Sequence, residues 1–246
     1  MGRKILFITT DQMRYDAIGA NGGNVARTPN IDSFAADGIS YDRAQPQNVV
    51  CMPARSSMIT GQYPRTHAVY ANGVPLPSDA PSIAAYLNEN GYKTALLGKA
   101  HFEPAFDFTN RWDENKFAAA GSTGPHRGFD YIEFAMHGPE LPWHYGRWLK
   151  AQDKNAWKGY YPLMRADGKA LNDAGGGDTG APQVARNPIA RELYHTDWVA
   201  DRTIEWLKSV DTSENFFCWM SFPDPHHPWD PPESELHRIN WRDLDL

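Results

Sequence analysis

Four short groups of polar residues lie where the sequence predicts that a strand ends or a helix begins. Their side chains could bind a cation, bind an anion or carry a proton: Asp11 with Gln12, Cys51 with Arg55, Lys99 with His101, and His226 with His227. In open α/β sheets, ligands bind in the crevice beyond the carboxyl ends of the strands. Groups that are distant in sequence would therefore meet at one edge of the sheet.

The residue types of these groups suit one reaction. Asp11 supplies a hard anionic oxygen, which suits a divalent cation such as Ca²⁺ or Mg²⁺. Arg55 and Lys99 are cations suited to an anionic substrate. His101 and His226 are candidate proton carriers. Each residue alone also has an ordinary structural interpretation, such as a helix cap or surface polarity, but their shared position favours a metal-assisted hydrolase of an anionic ester.

The elements around these groups predict an α/β fold, with a mostly parallel central sheet flanked by helices. KILFITT (4–10) is typical of a strand buried on both faces, and YKTALLG and FFCWMSF indicate two further strands. ISYDRA is predicted as a short strand. Helices are predicted in TPNIDSFAADG, in PARSSMITG from Pro53, in APSIAAYLNENG and in residues 190–210. This alternation is typical of a parallel sheet.

The alternation breaks down from about residue 103 to residue 189. This region is rich in Gly, Pro and Trp and contains AGGGDTGAP. We interpret it as a loop-rich insertion on the substrate side of one catalytic domain over residues 1–246, and a surface excursion without a role is the alternative. Several of its aromatic side chains could stack on a sugar or aryl ring or could pack structurally: Trp143, Tyr145, Trp148 and Trp157.

Composition argues against several other classes of function. The chain has 246 residues, a formal net charge of −6 and no block of like charges, which argues against a nucleic-acid partner. No apolar run is long enough to span a membrane. The apolar start is short for a signal peptide because it ends at Asp11. We therefore expect a cytoplasmic protein without a membrane partner, with a periplasmic or secreted location as the alternative.

The segment CMPARSSMITG resembles the signature of formylglycine-dependent sulfatases, which is Cys-x-Pro-x-Arg followed after four residues by Thr-Gly. Five fixed residues at about 5% usage each would arise by chance in a chain of this length with a probability on the order of 10⁻⁴. The family includes phosphonate monoester hydrolases and belongs to the alkaline-phosphatase-like superfamily. The resemblance implies that a formylglycine-generating enzyme converts Cys51 to an aldehyde.

The other polar groups resemble segments of the same family. ITTDQMRYDA is similar to its first strand, which implies that Asp11, Gln12 and residue 51 bind the metal. GYKTALLGKAHF is similar to its Gly-Lys-x-His segment, which implies that Lys99 contacts the sulfate and His101 lies beside the formylglycine.

Two further segments imply substrate contacts. FPDPHHPWDPP resembles the family's Pro-His-x-Pro segment, which places His226 rather than His227 near the leaving group. YANGVP places Asn72 where some members carry a substrate-contacting asparagine.

The resemblance implies a covalent mechanism with a divalent metal, most consistent with Ca²⁺, with Mn²⁺ or Mg²⁺ as alternatives. The aldehyde is hydrated, one hydroxyl attacks sulfur, and the second hydroxyl later expels sulfate. Arg55 and Lys99 balance charge, His226 protonates the departing alcohol, and His101 steers a proton. A serine at residue 51 could attack but could not release sulfate in this way.

Three functions compete. Hydrolysis of alkyl, aryl or sugar sulfates is favoured by Lys99 and His101, which the phosphonate hydrolases tend to replace. Hydrolysis of phosphonate monoesters or phosphodiesters is favoured by Gln12 and Asn72. The third is a catalytically inactive homologue that only binds a ligand or a partner.

The family completes its metal site with an Asp-His-Gly context after the Pro-His-x-Pro segment, followed by a further lysine. No segment after His227 resembles these features. Asp11, Gln12 and residue 51 provide about three ligands, whereas Ca²⁺ takes six to eight oxygens. We therefore expect residues 1–246 to be the N-terminal portion of a catalytic domain, with the remaining C-terminal part as its partner. Neither the physiological substrate nor the oligomeric state is predicted.

Overall fold

The structure is a computed structural model that describes residues 3–105, 107, 109–140, 142–160, 184, 187–240, 242 and 244. Its described strands are β1 (Lys4–Thr9), β2 (Tyr92–Gly98), β3 (Tyr131–Phe134) and β4 (Asn215–Ser221). They form one sheet in the order β1-β4-β2-β3, and each neighbouring pair is parallel. The predicted α/β fold with a parallel central sheet is confirmed.

Helices flank this sheet. Those in the described residues are α1 (Pro29–Asp37), α2 (Cys51–Thr60), α3 (Pro64–His67), α4 (Ile83–Glu89), α5 (Asp113–Ala120), α6 (His144–Gln152), α7 (Lys154–Gly159) and α8 (His195–Ser209). None of the helices in the described part is both long and apolar enough to cross a membrane. Helix α2 begins two residues before the predicted start, because Pro53 is accommodated in its first turn rather than at its first position.

Apolar side chains are buried on both faces of the sheet. Leu96 of β2 and Trp219 of β4 lie in a core cluster with Met52 of α2. The adjacent residues Leu97 and Cys218 lie in a different cluster. Because side chains alternate along a strand, this division places helices against both faces, as a parallel sheet requires.

The aromatic residues of the middle region belong mainly to the core. Trp143 and Tyr145 are fully buried, and Trp148 and Trp157 pack against the cluster that contains Tyr145. Of the two roles considered for these aromatic side chains, structural packing therefore explains their positions. The described part of the same region contains β3 and the helices α5, α6 and α7, so the prediction missed a strand of the central sheet. The segment AGGGDTGAP (174–182) lies outside the described residues.

Two strand predictions are wrong in the described residues. β1 was predicted to be buried on both faces, but Ile5, Leu6 and Ile8 are 38%, 43% and 50% exposed. Among the described strands β1 pairs only with β4 and lies at the edge of the sheet, which explains this exposure. ISYDRA (39–44) forms no strand and leaves Ile39 and Tyr41 exposed, because none of the described strands pairs with it.

Candidate active site

The carboxyl ends of β1, β2 and β4 bring the predicted polar groups together. Asp11 lies two residues beyond β1, Lys99 directly follows β2, and Ser221 ends β4. The amide of Lys99 donates to the Ser221 carbonyl over 2.9 Å, and the amide of Asp11 donates to the Asp224 carbonyl over 3.0 Å. These main-chain hydrogen bonds fix the backbone positions from which the side chains of Asp11 and Lys99 extend.

Asp11, Lys99 and Arg55 form a buried ionic cluster. The Asp11 Oδ2 atom pairs with Lys99 Nζ, and Arg55 Nη2 lies 3.3 Å from the same oxygen. The Lys99 side chain is 0% exposed. Burial alone would raise the pKa of Asp11, but the Lys99 and Arg55 cations outweigh it and lower that pKa to about 2. Asp11 is therefore a carboxylate at neutral pH.

Arg55 also ties helix α2 to the sheet. Its Nη1 atom donates to the carbonyl of Lys99 over 2.6 Å and to the Ser221 hydroxyl over 2.8 Å. The Ser221 hydroxyl donates to the same Lys99 carbonyl over 2.7 Å. Arg55 therefore holds the main chain of the residue whose ammonium group faces Asp11. Ser221 was not identified from the sequence, although its place at the end of a predicted strand was a usable signal.

Cys51 is the first residue of α2 and faces Asp11. Its Sγ atom lies 3.8 Å from Asp11 Oδ1, and its residue is only 9% exposed. Ligand atoms of Asp11, Cys51 and His226 all lie within 4.8 Å of one another. The predicted cysteine and carboxylate therefore occupy one centre, and the helix N-terminus favours negative charge beside Cys51.

The centre fits a divalent cation as part of a larger ligand set. Asp11 Oδ2 is engaged by Lys99 and Arg55, whereas Oδ1 faces the Cys51 Sγ atom and is the carboxylate oxygen that a cation could share with residue 51. Gln12 is exposed and lines a cleft of about 320 Å³ together with Asp11 and Cys51. Hard oxygen ligands are those that Ca²⁺ and Mg²⁺ prefer.

Three histidines approach the ionic cluster. Burial, together with the Lys99 cation, lowers the pKa of His226 to about 4 and lowers the pKa of His101 and of His137 well below the usual range. His101 Nδ1 is buried and has no hydrogen-bond partner among the described residues. These lowered pKa values favour neutral rings at pH 7, and His101 Nδ1 is a buried polar atom that the described residues leave unpaired.

His137 was missed in the sequence analysis. It lies three residues beyond β3, and its Nε2 atom is 2.8 Å from Lys99 Nζ. Like Asp11 and Lys99, His137 follows a strand of the sheet, and this position could have indicated it. The strand that it follows, β3, was not predicted.

Asn72 has a structural contact. Its Oδ1 atom accepts a hydrogen bond of 3.0 Å from the amide of Met52, in the first turn of α2. This bond caps a helix whose N-cap residue, Val50, offers no side-chain acceptor. Asn72 thus supports the turn that carries Cys51, and a contact between Asn72 and the substrate stays a prediction.

A second group of buried titratable residues lies behind His101. Glu103, Glu114 and His126 have ligand atoms within 4.8 Å of one another. Glu103 forms an ion pair with Arg127, in which Oε1 lies 3.0 Å from Nη2. Glu114 Oε1 accepts a hydrogen bond of 2.8 Å from the Phe102 amide. We interpret Glu103 and Glu114 as a support for the main chain that follows Lys99 and His101. His126 does not take part in this support, because its Nε2 atom has no hydrogen-bond partner among the described residues.

Comparison with known proteins identifies one family. The sulfatase family model matches residues 3–237. An arylsulfatase of Clostridium perfringens is 29% identical over 257 residues, which cover 100% of this chain and 47% of that relative. The chain therefore spans about half the length of this curated relative.

Solved structures show the same fold. A phosphonate monoester hydrolase of Agrobacterium radiobacter superposes with a TM-score of 0.73 at 23% identity, covering 100% of this chain and 45% of that chain. A phosphonate monoester hydrolase from Silicibacter pomeroyi gives a TM-score of 0.71 at 25% identity, covering 99% and 46% of the two chains. With a family match over nearly its whole length and the Cys51 centre at the sheet edge, this chain belongs to the sulfatase family.

Proposed function

We propose that the protein hydrolyses sulfate monoesters through a formylglycine nucleophile formed at Cys51. The observation that carries this proposal is the place of Cys51, at the N-terminus of α2 and 3.8 Å from the Asp11 carboxylate. A formylglycine-generating enzyme is the maturation partner that this proposal requires. Hydration of the formylglycine aldehyde would supply two hydroxyls on one carbon. One hydroxyl would attack sulfur and release the alcohol, and the other would lose its proton as the C–O bond to sulfate breaks and the aldehyde re-forms.

Lys99 and Arg55 prepare the site for an anion. Both cations are held by Asp11, and the Lys99 ammonium is enclosed by protein. A buried cation interacts strongly with a substrate oxyanion because little water screens it. In this proposal Lys99 binds a sulfate oxygen, and Arg55 offsets negative charge on the Cys51 side of the centre.

His226 and His101 handle protons. The imidazole of His226 lies beside Asp11 and Cys51, where the negative charge of a bound ester would favour its protonated form. His226 then donates a proton to the departing alcohol, and His101 takes the proton from residue 51 when sulfate leaves. Asp11, Gln12 and residue 51 would hold a divalent metal, Ca²⁺ in our proposal, which would lower the pKa of the attacking hydroxyl.

The choice of sulfate over phosphonate rests on Lys99 and His101. Both lie at the ionic cluster, and in this proposal the Lys99 ammonium binds an oxygen of the sulfate group. Phosphonate monoester hydrolysis is the second candidate, because two solved relatives of that name share the fold and Gln12 lines the cleft beside Asp11.

Steady-state rates on a matched pair of substrates separate these functions. We expect kcat/KM for an aryl sulfate to exceed that for an aryl phosphonate monoester with the same leaving group by at least about 10-fold, a difference in transition-state binding. A preference for the phosphonate would establish the second candidate. Absence of turnover of both by matured, metal-loaded protein would favour the inactive, ligand-binding homologue.

We also propose that a further segment of the same protein covers β1 and adds ligands to the metal site. Three apolar side chains of β1 are partly exposed at a sheet edge, which is a surface that proteins normally cover. Asp11 is the one carboxylate at the Cys51 centre among the described residues. A Ca²⁺ site takes six to eight oxygens, so this centre alone would bind the ion weakly.

This proposal predicts a difference between the isolated chain and a longer form of the protein. Residues 1–246 alone should bind divalent metal weakly and turn over aryl sulfate slowly, while the longer form should do both well. Metal content by mass spectrometry and activity on the same samples provide the test. Stoichiometric tight metal and ordinary turnover by residues 1–246 alone would contradict it.

A further inference from the structure

His137 contacts two of the groups assigned to the reaction. Its side chain is buried, and its Nε2 atom lies 2.8 Å from Lys99 Nζ. Its ring also stacks on the His226 ring, with centroids 3.9 Å apart and planes inclined by 23°. One side chain therefore joins the predicted anion-binding cation to the predicted proton donor.

The contact with Lys99 determines where the ammonium group can donate. A lysine ammonium has three N–H donors and no acceptor, so His137 Nε2 must accept the hydrogen bond. A second donor of Lys99 is directed to Asp11 Oδ2. With two donors engaged in the protein, the direction of the third N–H is fixed by the tetrahedral geometry of the ammonium group.

The contact with His226 determines how the second ring is held. His226 Nδ1 donates to the main-chain carbonyl of His227, which leaves Nε2 as the nitrogen that can exchange a proton. The stacked His137 ring restricts rotation of His226 about this hydrogen bond. The plane of the His226 ring is thus set by His137, which follows β3 and lies on a different segment of the chain.

We propose that His137 is a positioning residue for sulfate ester hydrolysis, which orients Lys99 by accepting its hydrogen bond and orients His226 by stacking. The inference rests on the proposed function of the Cys51 centre. Its two contacts are chemically different, so substitutions can remove one and keep the other.

Two substitutions of His137 separate the contacts. His137→Gln keeps an acceptor within reach of Lys99 but removes the ring, and His137→Phe keeps a ring against His226 but removes the acceptor. His126→Phe is a matched control, because His126 is a buried imidazole that packs on Phe117 and Phe134 and whose Nε2 has no partner in the described part of the chain.

The experiment uses the intact protein matured with a formylglycine-generating enzyme. Binding of inorganic sulfate is measured by calorimetry, and kcat and KM are measured on an aryl sulfate with a poor leaving group. For His137→Phe we expect affinity for sulfate to fall and KM to rise by roughly 10-fold, as for loss of a hydrogen bond to a charged group. For His137→Gln we expect sulfate affinity within about 3-fold of the original and a lower kcat, since the stacking partner of His226 is lost. The His126→Phe control should behave as the unmodified sequence does.

The outcomes distinguish this inference from the proposed function. If the original protein hydrolyses sulfate esters and His137→Phe matches it in sulfate affinity and KM, the positioning role of His137 is refuted. Equal losses in the Gln and Phe variants would reduce His137 to a packing role and also refute it. If the original protein is inert towards sulfate esters, the proposed function fails, while the calorimetric comparison still decides whether His137 orients Lys99 for an anion.

Discussion

Replacement of Cys51 by alanine is expected to abolish turnover and leave the fold intact. The residue is buried but lies outside the apolar core clusters, and its Sγ atom faces Asp11. Its side chain therefore contributes to chemistry more than to packing. Loss of a covalent nucleophile lowers kcat by roughly 10³-fold or more. Steady-state hydrolysis of an aryl sulfate, with thermal unfolding on the same sample, measures both expectations.

Cys218→Ala is the matched control for this experiment. Cys218 is the second cysteine of the chain and is completely buried in β4, where burial raises the pKa of its thiol to about 12. Its loss should lower the free energy of unfolding by about 1 kcal/mol, because a small cavity is created, and should leave turnover unchanged. Near-normal ester hydrolysis by a pure Cys51→Ala sample would refute the formylglycine mechanism.

His226→Ala should lower the rate far more than His227→Ala. The His226 ring lies with Asp11 and Cys51 and stacks on His137, while His227 packs between His226 and Trp229. A general acid contributes roughly 10²- to 10⁴-fold, and the effect is largest when the departing alcohol is a weak leaving group. We therefore expect a loss of that size for His226→Ala on an alkyl sulfate and a loss below about 10-fold for His227→Ala.

The leaving group provides an internal check on this assignment. With a nitrophenyl sulfate the departing oxygen needs little protonation, so the loss of rate in His226→Ala should be smaller than with an alkyl sulfate. The slope of log kcat/KM against leaving-group pKa should become steeper in that variant than in the original protein. A greater loss from His227→Ala, or an unchanged slope in His226→Ala, would assign the proton transfer to another residue.

The site could be predicted from the sequence wherever a residue directly followed a recognisable strand. Asp11 after β1 and Lys99 after β2 were found because continuous apolar runs indicate the strands of a parallel sheet, whose carboxyl ends meet at one edge. Arg55 and Cys51 were found because their spacing within the first turns of α2 matches a specific signature. The structure brings these four side chains into contact.

The features that were missed depend on tertiary contacts, which a local sequence pattern does not predict. β3 has only four residues, and its alternating pattern YIEF gives a weak strand signal inside a region of turns. His137 was missed with it. The exposure of Ile8 in β1 follows from which strands pair with it, and the bond from the Met52 amide to Asn72 follows from the path of a loop. Neither is encoded by residue type alone.

The central claim is that residue 51 is a formylglycine in the active protein. Its most direct measurement is the mass of the peptide containing residue 51, taken from a sample coexpressed with a formylglycine-generating enzyme and shown to hydrolyse an aryl sulfate. Conversion of the thiol to an aldehyde replaces sulfur by oxygen with loss of hydrogen, so the peptide should be about 18 Da lighter than the encoded one, and its fraction should rise in proportion to kcat. Full turnover by a sample in which this peptide carries only an unmodified cysteine would contradict the account.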